Sequence, residues 1–236
     1  MTLPKLDKPL FDMDVPSLGT TVKFRPFTVK EEKILLMAQQ STSEKDIVLA
    51  IKQVLNNCVA SEFFKINDLA TFDLEYMFLK LRSKSVNNII EVSYKDNEDD
   101  KIYDFQIDLD EVEMLKKPDI SNIIHVNDSV GIKMKYPSVT IIDDAPLNST
   151  GAELVEYLVR KCIDSIFDEE NVYPAKDYTD AELTEWLESL DVETFGKIRE
   201  FFDNLPQMYY KLEYKNSLGN DRIIELTTLS DFFTWR

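Results

Sequence analysis

One histidine, two cysteines and five glycines in 236 residues close several classes of chemistry at once. His125 alone cannot furnish a multi-histidine metal site, and Cys58 and Cys162 stand too far apart for the thiolate spacing of structural zinc. A Ser-His-Asp arrangement would have to recruit His125 from the apolar-flanked stretch NIIHVND, and the chain has no nucleophile elbow. His125 therefore reads as a structural residue at a strand end. Gly19, Gly131, Gly151, Gly196 and Gly219 are all isolated, which leaves no glycine-rich loop of the Walker or Rossmann type. No apolar run approaches the roughly 20 residues that span a bilayer. The opening MTLPKLDKPLFDMD carries charges and prolines where a signal peptide has its apolar centre, so export is not expected.

What the chain does have is negative charge. Against 27 basic residues stand 44 acidic ones, a formal net charge of −17 that opposes binding to nucleic acid or to an anionic membrane. A basic partner, or solubility itself, is the natural reading. The acidic stretch Asp96, Glu98, Asp99 and Asp100 lacks the glycine and terminal glutamate of a calcium loop, so a solvated hairpin tip is expected there. With 44% hydrophobic and 30% charged residues the composition is that of a globular protein. Cys58 and Cys162 both fall in apolar helical patterns and read as buried free thiols of a reducing cytosol. No catalytic residue, metal site or cofactor is expected, and the chain does not read as an enzyme.

The most legible stretch is TTVKFRPFTVKEEKILLM, Thr20 to Met37. Val22 and Phe24 alternate with Lys23 and Arg25 as in a half-buried strand, which Pro26 ends because it lacks an N–H for the ladder. Thr28 and Glu31 have the spacing of a capping box, so a helix starts at about Val29. Its run of Ile34, Leu35, Leu36 and Met37 predicts burial on several sides. A second helix follows Ser43, with Ile47, Ile51, Val54, Leu55 and Cys58 on one stripe. A third, after Thr71, is apolar nearly all round and should be central to its lobe or buried in an oligomer contact.

Residues 89–110 predict a hairpin around DNEDD, residues 111–125 a short helix or two, and residues 132–141 a strand broken at Pro137. Thr150 with Glu153 opens a helix whose stripe runs on through Cys162, Ile163, Ile166 and Phe167. Thr179 with Glu182 caps another, Asp191 a further one, and MYYKLEYK and RIIELTTL form a closing hairpin. The fold class is α+β, with several amphipathic helices and two or three β-hairpins. The expected division is an N-terminal lobe over residues 1–145 and a C-terminal helical lobe over 146–236, closed by the last hairpin.

Two segments carry a family resemblance: PKLDKPLF with VPSLGTTVKFRPFTVKEEKILLMA at residues 15–38, and LEYKNSLGNDRIIELTTLSDFF at 212–233. They resemble the baseplate hub family of T-even-like contractile-tailed bacteriophages. The resemblance implies a structural or assembly protein of the tail baseplate hub, working in the host cytoplasm during assembly or in the virion baseplate. Its partners would be other hub or tail proteins, or a second copy of this chain. Aromatics in the arms and tail, Phe11, Phe24, Phe27, Phe232, Phe233 and Trp235, are candidate interface anchors, with packing back on their own domain the alternative for each. Lys23, Arg25 and Lys30 form the compact basic patch that a carboxylate-rich neighbour could use. Two alternatives follow: an assembly chaperone absent from the mature virion, and an acidic inhibitor that mimics nucleic acid. Against the second, the acids are interspersed with lysines rather than arrayed in continuous runs.

Overall fold

The computed structural model describes residues 6–40, 44–61, 64–116, 121–146 and 151–232. Chain order begins with a hairpin, β1 (Phe11–Val15) and β2 (Thr20–Phe24), followed by the helices α1 (Val29–Gln39), α2 (Glu44–Cys58) and α3 (Thr71–Ser85). A second hairpin, β3 (Ile89–Lys95) and β4 (Ile102–Asp108), leads to the short strands β5 (Glu113–Leu115), β6 (Ile123–His125) and β7 (Gly131–Met134). Then come α4 (Val139–Asp143), α5 (Ala152–Cys162), β8 (Ile163–Phe167), β9 (Val172–Pro174), α6 (Asp180–Glu188) and α7 (Val192–Asp203). The closing hairpin is β10 (Gln207–Lys215) and β11 (Asp221–Leu226), with one helical turn, α8 (Leu229–Phe232), after it. The fold is α+β.

These elements form two units. One contains the residues up to Leu115 together with those from Gln207 onward, and the other contains Lys116–Pro206. The expected boundary near residue 145 therefore moves, and the last hairpin groups with the first unit. The reason is a strand pairing: β10 lies between β11 and β5, with Gln207 opposite Leu115, Met208 opposite Met114 and Tyr209 opposite Glu113. The second unit is thus an insertion between two adjacent antiparallel strands.

In the first unit, β1 and β2 bury Met13, Val15, Val22 and Phe24 on one face, as their alternation demands. Gly19 supplies the positive φ of 60° in the turn between them, a conformation open to a residue without Cβ. The buried carboxylate of Asp73, on α3, accepts from the Ser17 N–H (2.9 Å) and from its hydroxyl, and so ties that turn to the helix. The expectation for α3 holds: Phe72, Leu74, Met77, Phe78, Leu79 and Leu81 are all buried. Leu79 joins Ile90, Val92, Ile107, Met208, Leu212 and Phe232 in a core under the hairpins. Each such side chain contributes about 1.5–3 kcal/mol by leaving water.

The second unit is a four-stranded antiparallel sheet in the order β6-β7-β8-β9. Ile124, Ile132, Met134 and Ile163 from its strands form a core with Val159 and Cys162 of α5, Leu187 of α6 and Ile198 and Phe201 of α7. The capping box of Thr179 and Glu182 is present at α6, and Asp191 Oδ1 accepts from the Thr194 N–H (2.6 Å) at α7.

Three expectations fail. Residues 113–115 and 123–125 are strands, not helices: β5 finds a non-local partner in β10, and β6 pairs with the next strand, β7, in a hairpin that sets His125 opposite Gly131. The helix through Cys162 stops there. The Cys162 carbonyl accepts from the Lys135 N–H (2.7 Å), so it is not available one turn further on, and Ile163 to Phe167 pair with β7 and β9 instead. After Pro137 the chain forms α4, capped by Ser138, whose hydroxyl accepts from the Ile141 N–H (3.3 Å), rather than continuing as a strand. Thr150, expected to cap α5, lies outside the described residues.

Candidate functional site

The corner after β2 is built around Arg25. Its N–H donates to the Cys58 carbonyl (3.0 Å), and its guanidinium reaches the Asn57 carbonyl (2.8 Å), the Pro26 carbonyl (3.0 Å) and Glu31 Oε1 (3.0 Å). Glu31 also accepts from the N–H (2.9 Å) and the hydroxyl (2.6 Å) of Thr28, completing the capping box. Glu31 is 1% exposed, a burial that by itself raises a carboxyl pKa; the bonds from Arg25 and Thr28 outweigh it and hold the group at about 2.

This geometry redistributes the residues expected at a contact surface. Phe24 is fully buried, edge-on to Phe64 with ring centroids 6.5 Å apart, and Phe232 is buried in the hairpin core. Neither can meet a partner directly. The charge of Arg25 is engaged by Glu31, and Lys23 pairs with Asp12 (3.0 Å) across the exposed face of the β1–β2 hairpin. The compact basic patch read from the sequence is therefore broken up by internal pairing. Phe11 and Phe27 are half-buried and Lys30 is exposed. Phe233 and Trp235 lie outside the described residues.

What does reach solvent is the outer face of α1. Leu36 is 53% and Met37 73% exposed, against the expected burial, and Val29, seven residues before Leu36 on the same helix face, is exposed too. Helix α1 packs on α2, whose Val48 and Leu49 are likewise exposed. A helix apolar on both sides covers its inner face and leaves the outer one without cover among the described residues. Grouped exposed apolar side chains of this kind mark protein interaction sites.

A second feature lies at the tips of the two long hairpins of the same unit. The tip expected to be solvated is docked. Asp96, 3% exposed, accepts from the Tyr214 hydroxyl and from Arg222 (Nε, 3.1 Å), while Glu98 accepts from Asn216 and Asn220. Asp99 accepts from the Tyr103 hydroxyl (2.6 Å) and from the Ser217 N–H (3.0 Å) and hydroxyl (2.8 Å). The ring of Tyr214 lies against Tyr103 and Phe105, with centroids 4.9 and 5.2 Å away. The Tyr214 hydroxyl lowers the Asp96 carboxyl pKa below its ordinary value, and the Tyr103 hydroxyl does the same for Asp99. These acids are structural clasps between β3–β4 and β10–β11.

No group of three or more potential metal ligands occurs among the described residues, and no described helix is long and apolar enough to cross a membrane. Burial raises the thiol pKa of Cys58 to about 11 and that of Cys162 to about 12, so neither is a ready nucleophile near neutral pH. His125 ends β6 with its ring edge-on to Phe167, 6.3 Å between centroids.

A family profile described as T4 bacteriophage base plate protein matches residues 8–234. The chain belongs to this family. No curated protein and no solved structure matches it significantly. The baseplate match takes in both units. The exposed apolar residues that the sequence reading did not single out, Val29, Leu36 and Met37, carried a visible signal. The run ILLM has no polar counter-face, which fits either a deeply buried helix or one with a partner.

Proposed function

We propose that this chain is a non-catalytic structural or assembly protein of the phage baseplate hub, acting in tail morphogenesis through protein–protein contacts made by the outer face of α1. Membership of the baseplate family over residues 8–234 carries the reading. Support comes from the exposed Val29, Leu36 and Met37. Phe27 and Lys30, which flank Val29 in the chain and keep accessible surface, belong to the same contact.

A tagged chain expressed in phage-infected cells is expected to recover hub or other tail proteins. A Leu36→Glu, Met37→Glu double variant is expected to lose them while keeping its circular dichroism spectrum. Recovery of no tail protein by the parent chain sinks the assignment, and undiminished recovery by the variant sinks the surface. Blotting purified virions then separates a resident subunit from an assembly chaperone that departs.

A further inference from the structure

The second unit holds a cavity of about 410 Å³ between the β8–β9 end of its sheet and α6. Four of its lining residues are aromatic, Phe167, Tyr173, Tyr178 and Trp186, and its charged groups are two carboxylates, Asp168 and Glu182, with no cation in the lining. We propose that this cavity is a docking pocket for an arginine side chain projecting from a basic segment of a partner protein. The pocket lies wholly within the inserted unit and owes nothing to the α1 face or to the hub assignment.

The chemistry selects the occupant. Aromatic faces attract a cation, and the planar guanidinium stacks on tryptophan or tyrosine while its edge donates to a carboxylate. Anionic ligands are disfavoured by a wall that contains only negative charge. Both carboxylates are held in position by local bonds. Asp168 Oδ1 accepts from the N–H groups of Glu170 (2.9 Å) and Asn171 (2.7 Å), and Oδ2 from the Tyr173 hydroxyl (2.8 Å). Glu182 takes both of its bonds from Thr179 on Oε2, which leaves Oε1 without a donor among the described residues. The Tyr173 hydroxyl lowers the Asp168 pKa and the Thr179 hydroxyl that of Glu182, so both groups stay ionised.

The surroundings agree. Between Asp164 and Glu188 the sequence has nine acidic residues and one lysine, Lys176, so the field around the mouth favours a basic segment. On α5, Arg160 and Lys161 are already paired with Glu156 and Asp180. Arginine seated in a pocket with an aromatic wall is also a favoured anchor of protein interfaces.

The probe is the peptide acetyl-Gly-Arg-Gly-amide, titrated into the full-length protein while the indole N–H resonance of Trp186 is followed by NMR; a Trp235→Phe variant assigns that signal. A saturable shift is expected, with the citrulline peptide, isosteric and uncharged, at least tenfold weaker. Tyr178→Ala, and Glu182→Gln, which keeps the cap because glutamine also closes a capping box, are each expected to weaken binding severalfold with the amide spectrum otherwise preserved. Equal binding of the citrulline peptide overturns the cation preference. Equal binding by guanidinium ion alone makes this a small-cation site and overturns docking, and no shift of the Trp186 signal overturns the pocket itself.

Discussion

Replacing Glu31 by alanine removes the carboxylate that neutralises Arg25 and receives the Thr28 cap bonds. Arg25 retains some contact with solvent, so the cost falls short of that for a fully buried orphan charge: about 2–3 kcal/mol, read as a lower urea midpoint. The same pair gives a pH signature. A carboxyl lowered from 4.5 to about 2 contributes stability that is complete above its ordinary value and is lost as the pH falls through the folded one. The denaturation midpoint of the parent is therefore expected to decline more steeply between about pH 4.5 and pH 2 than that of Glu31→Gln. A parallel slope in the two proteins would remove the pair from the stability account. The two thiols offer a second check, because burial raises both pKa values. Cys58 and Cys162 are expected to resist iodoacetamide at pH 8 in the folded protein and to react fully once it is unfolded.

Among the elements, β7 and β8 approach each other closely enough for a single methyl group to matter. Gly131 of β7 sits under the ring of Phe167, and a Cβ there would clash with Phe167 Cζ. Gly131→Ala must drive that ring aside and is expected to cost about 1–3 kcal/mol, measured on the unfolding of the second unit. The clasp between the hairpin tips behaves differently, since it rests on polar bonds rather than volume. Tyr214→Phe keeps the ring contacts with Tyr103 and Phe105 but removes the donor to Asp96. Severalfold faster amide exchange at residues 96–101 and 216–220, with the strands below unaffected, is the expected result. Unchanged exchange would mean that the rings alone hold the tips together.

For the whole molecule, the insertion of residues 116–206 between β5 and β10 has a direct consequence. Leu115 and Gln207 are register partners, so a two-residue Asn-Gly turn can replace everything between them without breaking the β5–β10 pairing. The shortened chain is expected to unfold cooperatively with its β-sheet circular dichroism retained. The parent, with two cores, is expected to show two transitions rather than one. Loss of cooperative unfolding in the shortened chain would show that the first unit depends on the inserted one.

Local signals were legible wherever a short-range bond decides the structure. Thr28 with Glu31, Thr179 with Glu182 and Asp191 each set a helix start, and the turns at Asp96–Lys101 and Asn216–Asn220 each close a hairpin. The apolar patterns of α2 and α3 named their buried faces, and the baseplate resemblance was carried by residues at the two ends of the chain. The sequence by itself thus determined the class, most helix starts, the family and the scarcity of catalytic residue types. Tertiary structure decided the rest. Whether Cys162 to Phe167 continue a helix or pair as a strand depends on β7, and which lobe the last hairpin joins depends on β5, more than 90 residues before it. Only the folded chain shows that Arg25 spends its charge on Glu31 while Leu36 and Met37 stay in water. The physical reason is the same in each case: a cap or a turn is closed by atoms a few residues apart, whereas a strand partner, the carbonyls of Asn57 and Cys58 that fix Arg25, or an uncovered face depends on residues that the sequence order does not bring together.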